Sequence, residues 1–495
     1  MATALELTKK EKEELETKKR IAELLKTDVQ ALKEFETAYA KTVLTEPATN
    51  DFFSVNAKQA ANAVNKPAVD VATEDIINRI VNELLAQTDS MTAFSDGRYE
   101  VSLAEGHYDG TPVTAEEIYA LPEKLRPQLT GTLMKIDVPE PSYQAVLSYY
   151  LEYLKAPDTR EGRRAYNLFR QGLDILDLDH IMYDIIGMNW NSIGRWLPFL
   201  CEAVNKQSFF KIPETRVIKV PITLLQLTRC EYGQLTPTTL AIVDRFSQKV
   251  FSLDVSKDYF IKTGTYSSKY DFRNCYIHGE KEVRELGEYL LFIHYQALQM
   301  ASPLSSPVIV GAATTNEWVV REFIHDKENA PTIYKGMPLH TEYRVFVDFD
   351  AKKVIGMNPY WDPAVMKQRF GREADANSPH QIHDYIIYMM HESELMTRYQ
   401  ENTEMVKKHI EEMLPNFWLK GQWSIDVMQN GDDFYIIDMA LAANSALVKC
   451  VPQELLKPVR ENWIPGKPMS EKEKITLMDE ILKEIDNEER KGKSL

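Results

Sequence analysis

The chain has 495 residues, 44% of them hydrophobic and 27% charged, and a net charge of −16. That length exceeds the usual span of one hydrophobic core and implies two or three domains of ordinary globular composition. The acidic balance argues against nucleic acid or an anionic membrane surface as a partner, because the long-range field repels polyanions.

Cys201, Cys230, Cys275 and Cys450 stand far apart and form no metal-type pair, so they read as reduced, buried thiols. No apolar run approaches the ~20 residues of a membrane span, and the N-terminus lacks the apolar core of a secretion signal. A soluble, cytoplasmic protein is expected.

In chain order, residues 1–45 carry apolar positions at three-to-four spacing among Lys and Glu, the pattern of one or two amphipathic helices and a possible protein-docking element. A polar, Ala/Asn-rich linker follows to Pro67. A helix is predicted over 72–87, with Thr73 and Asp75 placed to cap it, and another opened by Thr114. The stretch 143–206 is aromatic and helical. From Phe210 the periodicity mixes: strands at 215–220, 258–263, 318–324, 342–349, 353–357, 422–428 and 433–439, with helices at 237–248, 281–300 and 380–412. The tail from Ser470 reads as a charged amphipathic helix. The organisation expected is a mainly helical region over 1–150, a lead-in over 151–250, an α+β nucleotide and metal region over 251–465, and the terminal helix over 466–495.

Four segments carry chemistry. Lys262 ends an apolar strand, and Gly264, Ser267, Ser268 and Lys269 follow in a polar loop whose N–H groups and hydroxyls suit phosphate oxygens. Arg321 and Glu322 interrupt the apolar "EWVVREFI", either as a plain ion pair or in a hinge strand whose backbone and Glu322 meet the amino edge of adenine, with Ile324 at the rim. Glu342 and Arg344 differ by two positions and therefore share one face of a strand, suiting a ribose or metal contact beside a phosphate contact. Asn430 and Gly431 turn a hairpin that brings Asp426 and Asp438 together. Two facing carboxylates repel unless a cation sits between them, and magnesium fits that need, with Asn444 and Ser445 as further oxygen donors. On this reading the removal of Asp438 relieves repulsion and leaves the fold intact.

In this order the segments resemble the ATP-grasp superfamily, and "EYRVFVD" is closest to the branch that includes the cell division cycle 123 proteins. The resemblance covers roughly residues 190–465. It implies two α+β subdomains sandwiching ATP, with a mainly helical N-terminal region added. Lys262 matches the lysine before the phosphate loop, 263–269 that loop, and Glu322 the hinge acid. Asp426, Asp438 and Asn444 match the magnesium ligands, although the usual acid-x-Asn reads Asp438-Met439-Ala440 here and displaces the asparagine. The activity implied is carboxylate–amine or carboxylate–thiol ligation through an acyl phosphate, with Lys262, Lys269 and Arg344 supplying positive charge. The alternative is a non-catalytic ATP-binding assembly factor. A third reading takes "KYDF" as a relative of the lysyl-AMP signature of nucleotidyltransferases, at Lys269.

Overall fold

The computed structural model describes residues 71–128, 189–229, 235–301, 315–370 and 379–457, together with single positions between 152 and 187 and at 233. The helices expected over 1–45, the linker to Pro67, the terminal helix from Ser470 and Cys230 lie outside the described residues.

The strands in chain order are β1 (Ser90–Ala93), β2 (Tyr99–Ser102), β3 (Phe210–Lys211), β4 (Thr215–Lys219), β5 (Tyr259–Thr263), β6 (Tyr276–Ile277), β7 (Glu317–Glu322), β8 (Thr332–Ile333), β9 (Met337–Pro338), β10 (Glu342–Asp348), β11 (Lys353–Pro359), β12 (Gln422–Asn430) and β13 (Asp433–Leu441). They form a six-stranded sheet in the order β2-β1-β4-β7-β5-β6, a five-stranded sheet in the order β11-β10-β12-β13-β3, and the small β8-β9 ribbon. Every neighbouring pair is antiparallel except β13 with β3. This is the mixed α+β class expected, and most strand and helix limits fall within two residues of the sequence reading.

Strand alternation divides the core in two. Trp318 and Val320 of β7, with Ile261 of β5, face helices Val71–Ala86, Pro237–Val250 and Leu286–Ala301, where Val81, Phe246 and Ile293 close one apolar cluster. Val319, one position along, points the other way, as strand geometry demands. It joins Val217, Trp196 and Leu200 of helix Ile193–Val204, Ile410 of helix Pro379–Met413, and Val345, Ile425 and Val427 of the second sheet. This second cluster fastens the two sheets to each other.

Local chemistry explains the element ends. Thr114 accepts the Glu117 N–H while Glu117 reaches back to the Thr114 N–H, a reciprocal cap for helix Ala115–Ala120. Thr236 caps helix Pro237–Val250, whose first residue is the proline that position favours. Gly431 turns the β12–β13 hairpin at φ 64°, a conformation that costs glycine nothing.

Two expectations change. Helix Val71–Ala86 starts early enough that Thr73 and Asp75 lie within it rather than before it. Cys450 is exposed, whereas Cys201 and Cys275 are buried free thiols. A third feature adds to the reading rather than changing it: the short strands β1 and β2 extend the six-stranded sheet. Ile425 is fully buried between the sheets, so Ile425→Ala is expected to cost about 2–5 kcal/mol in urea unfolding, through the lost apolar contact and the cavity left behind.

Candidate functional site

The register of the five-stranded sheet sets Arg344 of β10 opposite Asp426 of β12, and Asp426 opposite Asp438 of β13. One row across three strands thus reads cation, anion, anion. Arg344 grips Asp426 with two parallel hydrogen bonds, Nε to Oδ1 at 2.8 Å and Nη2 to Oδ2 at 2.7 Å. Such forked pairs are among the stronger charge-assisted bonds.

Asp438 finds its cation in the other sheet. Lys262 of β5, 3% exposed, donates to Asp438 Oδ2 at 3.2 Å. Arg321 of β7 donates to the Ile437 carbonyl beside it. Desolvation would raise the Asp438 carboxyl, but Lys262 and then Arg321 outweigh it and hold the group below its usual range. At Lys262 burial wins over the attraction of Asp438, and the ammonium is pulled down.

These pairs correct the argument from sequence that two facing carboxylates need an ion between them, since protein cations already neutralise both. They also reverse the expected effect of removing Asp438.

A β-bulge makes the row possible. Counting regularly from the Asn430–Asp433 pair would set Asp426 opposite Ile437, but the register shifts between Asp426 and Val427 so that Asp426 meets Asp438. The extra residue is Ile437. Its carbonyl is the one Arg321 takes, which satisfies a backbone acceptor that a bulge leaves out of the ladder.

A cleft of about 150 Å³ opens against this row, lined among others by Thr265, Arg344, Asp426, Asp438, Asn444 and Ser445. Ser424 and Ser445 share a 2.6 Å hydroxyl bond at its wall. Asn444 Oδ1 accepts from Asn191 Nδ2 at 3.1 Å. Carboxylate, amide and hydroxyl oxygens are the donors a hard divalent cation takes, so the lining fits magnesium chemically. Among the described residues no group of three or more His, Cys, Asp or Glu side chains is arranged for a metal. Any such ion would therefore have to combine two carboxylates with neutral oxygens.

Lys269 lies with its ammonium 4.4 Å from the centre of the Tyr360 ring and 5.8 Å from that of Trp361, and donates to the Tyr360 hydroxyl. The Arg344 guanidinium lies 4.6 Å from the centre of the same Tyr360 ring. Cations against aromatic faces gain from the ring quadrupole, the more so when desolvated. Glu342 is buried nearby and its Oε2 has no hydrogen-bond partner. Burial pushes its carboxyl up to about 7, against Lys269 and with Asp426 adding to the rise.

The loop after Lys262 is anchored from behind. Ile193 N donates to the Gly264 carbonyl at 2.9 Å, and Gly264 N donates to the Glu317 carbonyl. A Cβ on Gly264 would meet Ser192 Oγ at 2.1 Å, so only glycine fits. Ser267 is half-buried, while Ser268 is turned inward, donating to Gln296 Oε1 and accepting from Asn274 Nδ2.

Glu322 is not brought to the row. It pairs with Tyr259 in register and faces the side opposite Lys262, 3.4 Å from Lys257, where both side chains are 46% exposed. Ile324 lies half-buried just past the end of β7. Arg321, Tyr360 and Asn191 are the residues sequence reasoning did not place at the site. Alternation along β7 could have found the first, because neighbouring residues in a strand cannot share a face.

No known protein family's profile and no curated protein matches this sequence. Among solved structures, two of Cdc123 from Schizosaccharomyces pombe, one of them C-terminally truncated, are partly similar. They show 14% identity for the truncated form and 13% for the other. Each alignment covers 54% of this chain and 93% of the other, at a TM-score of 0.32.

Asp438→Ala would strand Lys262 and Arg321 without their counter-charge, and because Asp438 itself is 41% exposed a loss of about 1–3 kcal/mol is expected in urea unfolding. Unchanged or raised stability would mean that repulsion from Asp426 dominates. Glu342 contributes a pH dependence of its own. A carboxyl raised by folding binds more protons in the native state, so stability falls as pH climbs from the ordinary carboxylate range through about 7. Glu342→Gln should flatten that fall, by roughly 1–3 kcal/mol between pH 4.5 and 7.5 in denaturant titrations.

Proposed function

We propose that the chain binds ATP with magnesium in the cleft between its two sheets. The observation that carries this reading is the charge row Arg344–Asp426–Asp438–Lys262, which sets cations from both sheets around two carboxylates at an oxygen-lined cleft. Asp426, Asp438 and Asn444 would hold the metal. Lys262, Lys269 and Arg344, with the loop from Gly264 to Lys269, would meet the phosphates, and Glu342 a ribose hydroxyl. Ser268 contributes its place in that loop rather than its hydroxyl. Glu322 does not enter, because it faces the other side of its sheet, and Ile324 would stand at the rim near the base. When bound, magnesium supplies charge neutralisation on the phosphate oxygens.

The same row favours an ATP-dependent binding or assembly factor as the output. Lys262 and Asp438 are each other's partner across the sheets, so a phosphate that draws Lys262 or a metal that draws Asp438 exchanges an inter-sheet contact for a ligand contact. Nucleotide occupancy then biases how the two sheets sit, which is what a factor that presents a surface to a partner requires. Carboxylate–amine ligation is the second reading. Lys269 supports it, because its ammonium, held against aromatic rings, would meet negative charge developing on a transferring phosphoryl group.

Calorimetry with ATP, in magnesium and in EDTA, tests the binding. Lys262→Ala should weaken ATP at least ~10-fold, as loss of a charge-assisted contact does. A wild-type chain that takes up no ATP in either condition overturns the proposal. Release of ADP on adding mixtures of acids and amines selects the ligase; ATP held without ADP release selects the binding factor.

A further inference from the structure

The segment just before helix Ile193–Val204 touches both halves of the cleft. Asn191 is 8% exposed, and its amide is used at both ends. Oδ1 accepts the Leu441 N–H at 2.9 Å, where β13 ends, and Nδ2 donates to Asn444 Oδ1 at 3.1 Å. Asn189 Oδ1 accepts from the Asn191 N–H at 3.0 Å and from Nδ2 at 3.3 Å, which fixes the side chain from behind. Trp196 Nε1 adds a bond to the Asn191 carbonyl at 3.3 Å.

The next three residues reach the opposite sheet. Ser192 Oγ and Gly194 N both donate to the buried carboxylate of Glu317, at 2.6 and 2.9 Å, and Ile193 N holds the Gly264 carbonyl. Four consecutive residues therefore join the start of the phosphate-side loop to the oxygen donors at the end of the hairpin.

Asn444 closes a short turn, Ala442–Asn444, after β13. It lies three residues past the end of β13, so the strand ladder does not orient its side chain. We infer that Asn191 is the positioning residue that does so. Its N–H occupies one lone pair of Asn444 Oδ1 and leaves the other for a cation, while its hold on Leu441 fixes the turn's height relative to Asp438. A partner that orients a ligating oxygen in this way sets metal affinity without touching the metal. The inference rests on the reading of the cleft as a magnesium–ATP site and assigns the device that places its neutral oxygen.

The test is ATP binding by calorimetry on the full chain, in magnesium and in EDTA, for Asn191→Ala, Asn444→Ala and the double variant, with thermal unfolding as the control for folding. Asn191→Ala is expected to lose about 10–100-fold of the affinity measured in magnesium, with the EDTA value unchanged. The double variant should lose no more than either single one, because the two residues act as a unit. Equal losses in magnesium and EDTA, or losses that add, overturn the inference. If Asn191→Ala does not fold, Asn444→Ala decides: a magnesium-specific loss supports the inference, and unchanged binding in magnesium overturns it. Absence of ATP binding by the wild-type chain would instead remove the underlying site.

Discussion

Asp438 is where the two sheets meet through charge, and the arrangement of the cleft follows from satisfying it. A carboxylate at the edge of an apolar cluster, short of part of its hydration, gains from counter-charge within bonding distance. In the second sheet Arg344 bonds to Asp426 rather than to Asp438. The counter-charge comes from the first sheet, as Lys262 at bonding distance and Arg321 behind it. The apolar contacts around it, Val319 and Val217 on one side and Val345, Ile425 and Val427 on the other, bring the sheets together without direction. The ion pair adds the direction. It sets which residues of β5 and β13 oppose each other.

The bulge at Ile437 reconciles that charge with the core. Ile436 and Met439 both belong to the apolar cluster between the sheets, whereas Asp438 belongs to the cleft. In an unbroken strand, residues two apart share a face, and Asp438 would follow Ile436 into the apolar cluster. One extra residue resolves the conflict at the cost of a displaced ladder bond, and Arg321 takes up the exposed carbonyl. Hairpin, bulge and arginine therefore form one device.

How much of this was legible follows from which contacts are local. The strands were, because alternation along 342–348 and 422–430 and the Asn-Gly turn are short-range signals that agree with the final packing. That Glu342 and Arg344 share a face followed from the same two-residue period, and so should have the separation of Arg321 from Glu322. Three things were not legible. The partner of Lys262 lies 176 positions away, and no local pattern names it. A bulge is invisible until the partner strand is known, so the pairing of Asp426 with Asp438 came from proximity to the turn rather than from register. Ser268 looked like a phosphate donor because it lies in a polar loop. Its left-handed backbone, φ 54°, turns the hydroxyl inward to Gln296 instead.

The paired state of every charge in the row also sets how a ligand could act here. Binding an anion beside Lys262 leaves the charge balanced only if Asp438 gains another cation at the same time, since otherwise a half-exposed carboxylate loses its partner. An anion or a cation alone therefore meets a penalty that the two arriving together do not. The reciprocity runs the other way as well. If a paired ligand loosens the Lys262–Asp438 contact, then anything that separates the sheets favours that ligand by the same free energy. The apolar cluster around Val319 and Ile425 limits how far such a separation can go, because close-packed side chains shift between discrete arrangements rather than stretch. A charge-balanced ligand that broke the Lys262–Asp438 contact would therefore act on the seating of one sheet on the other.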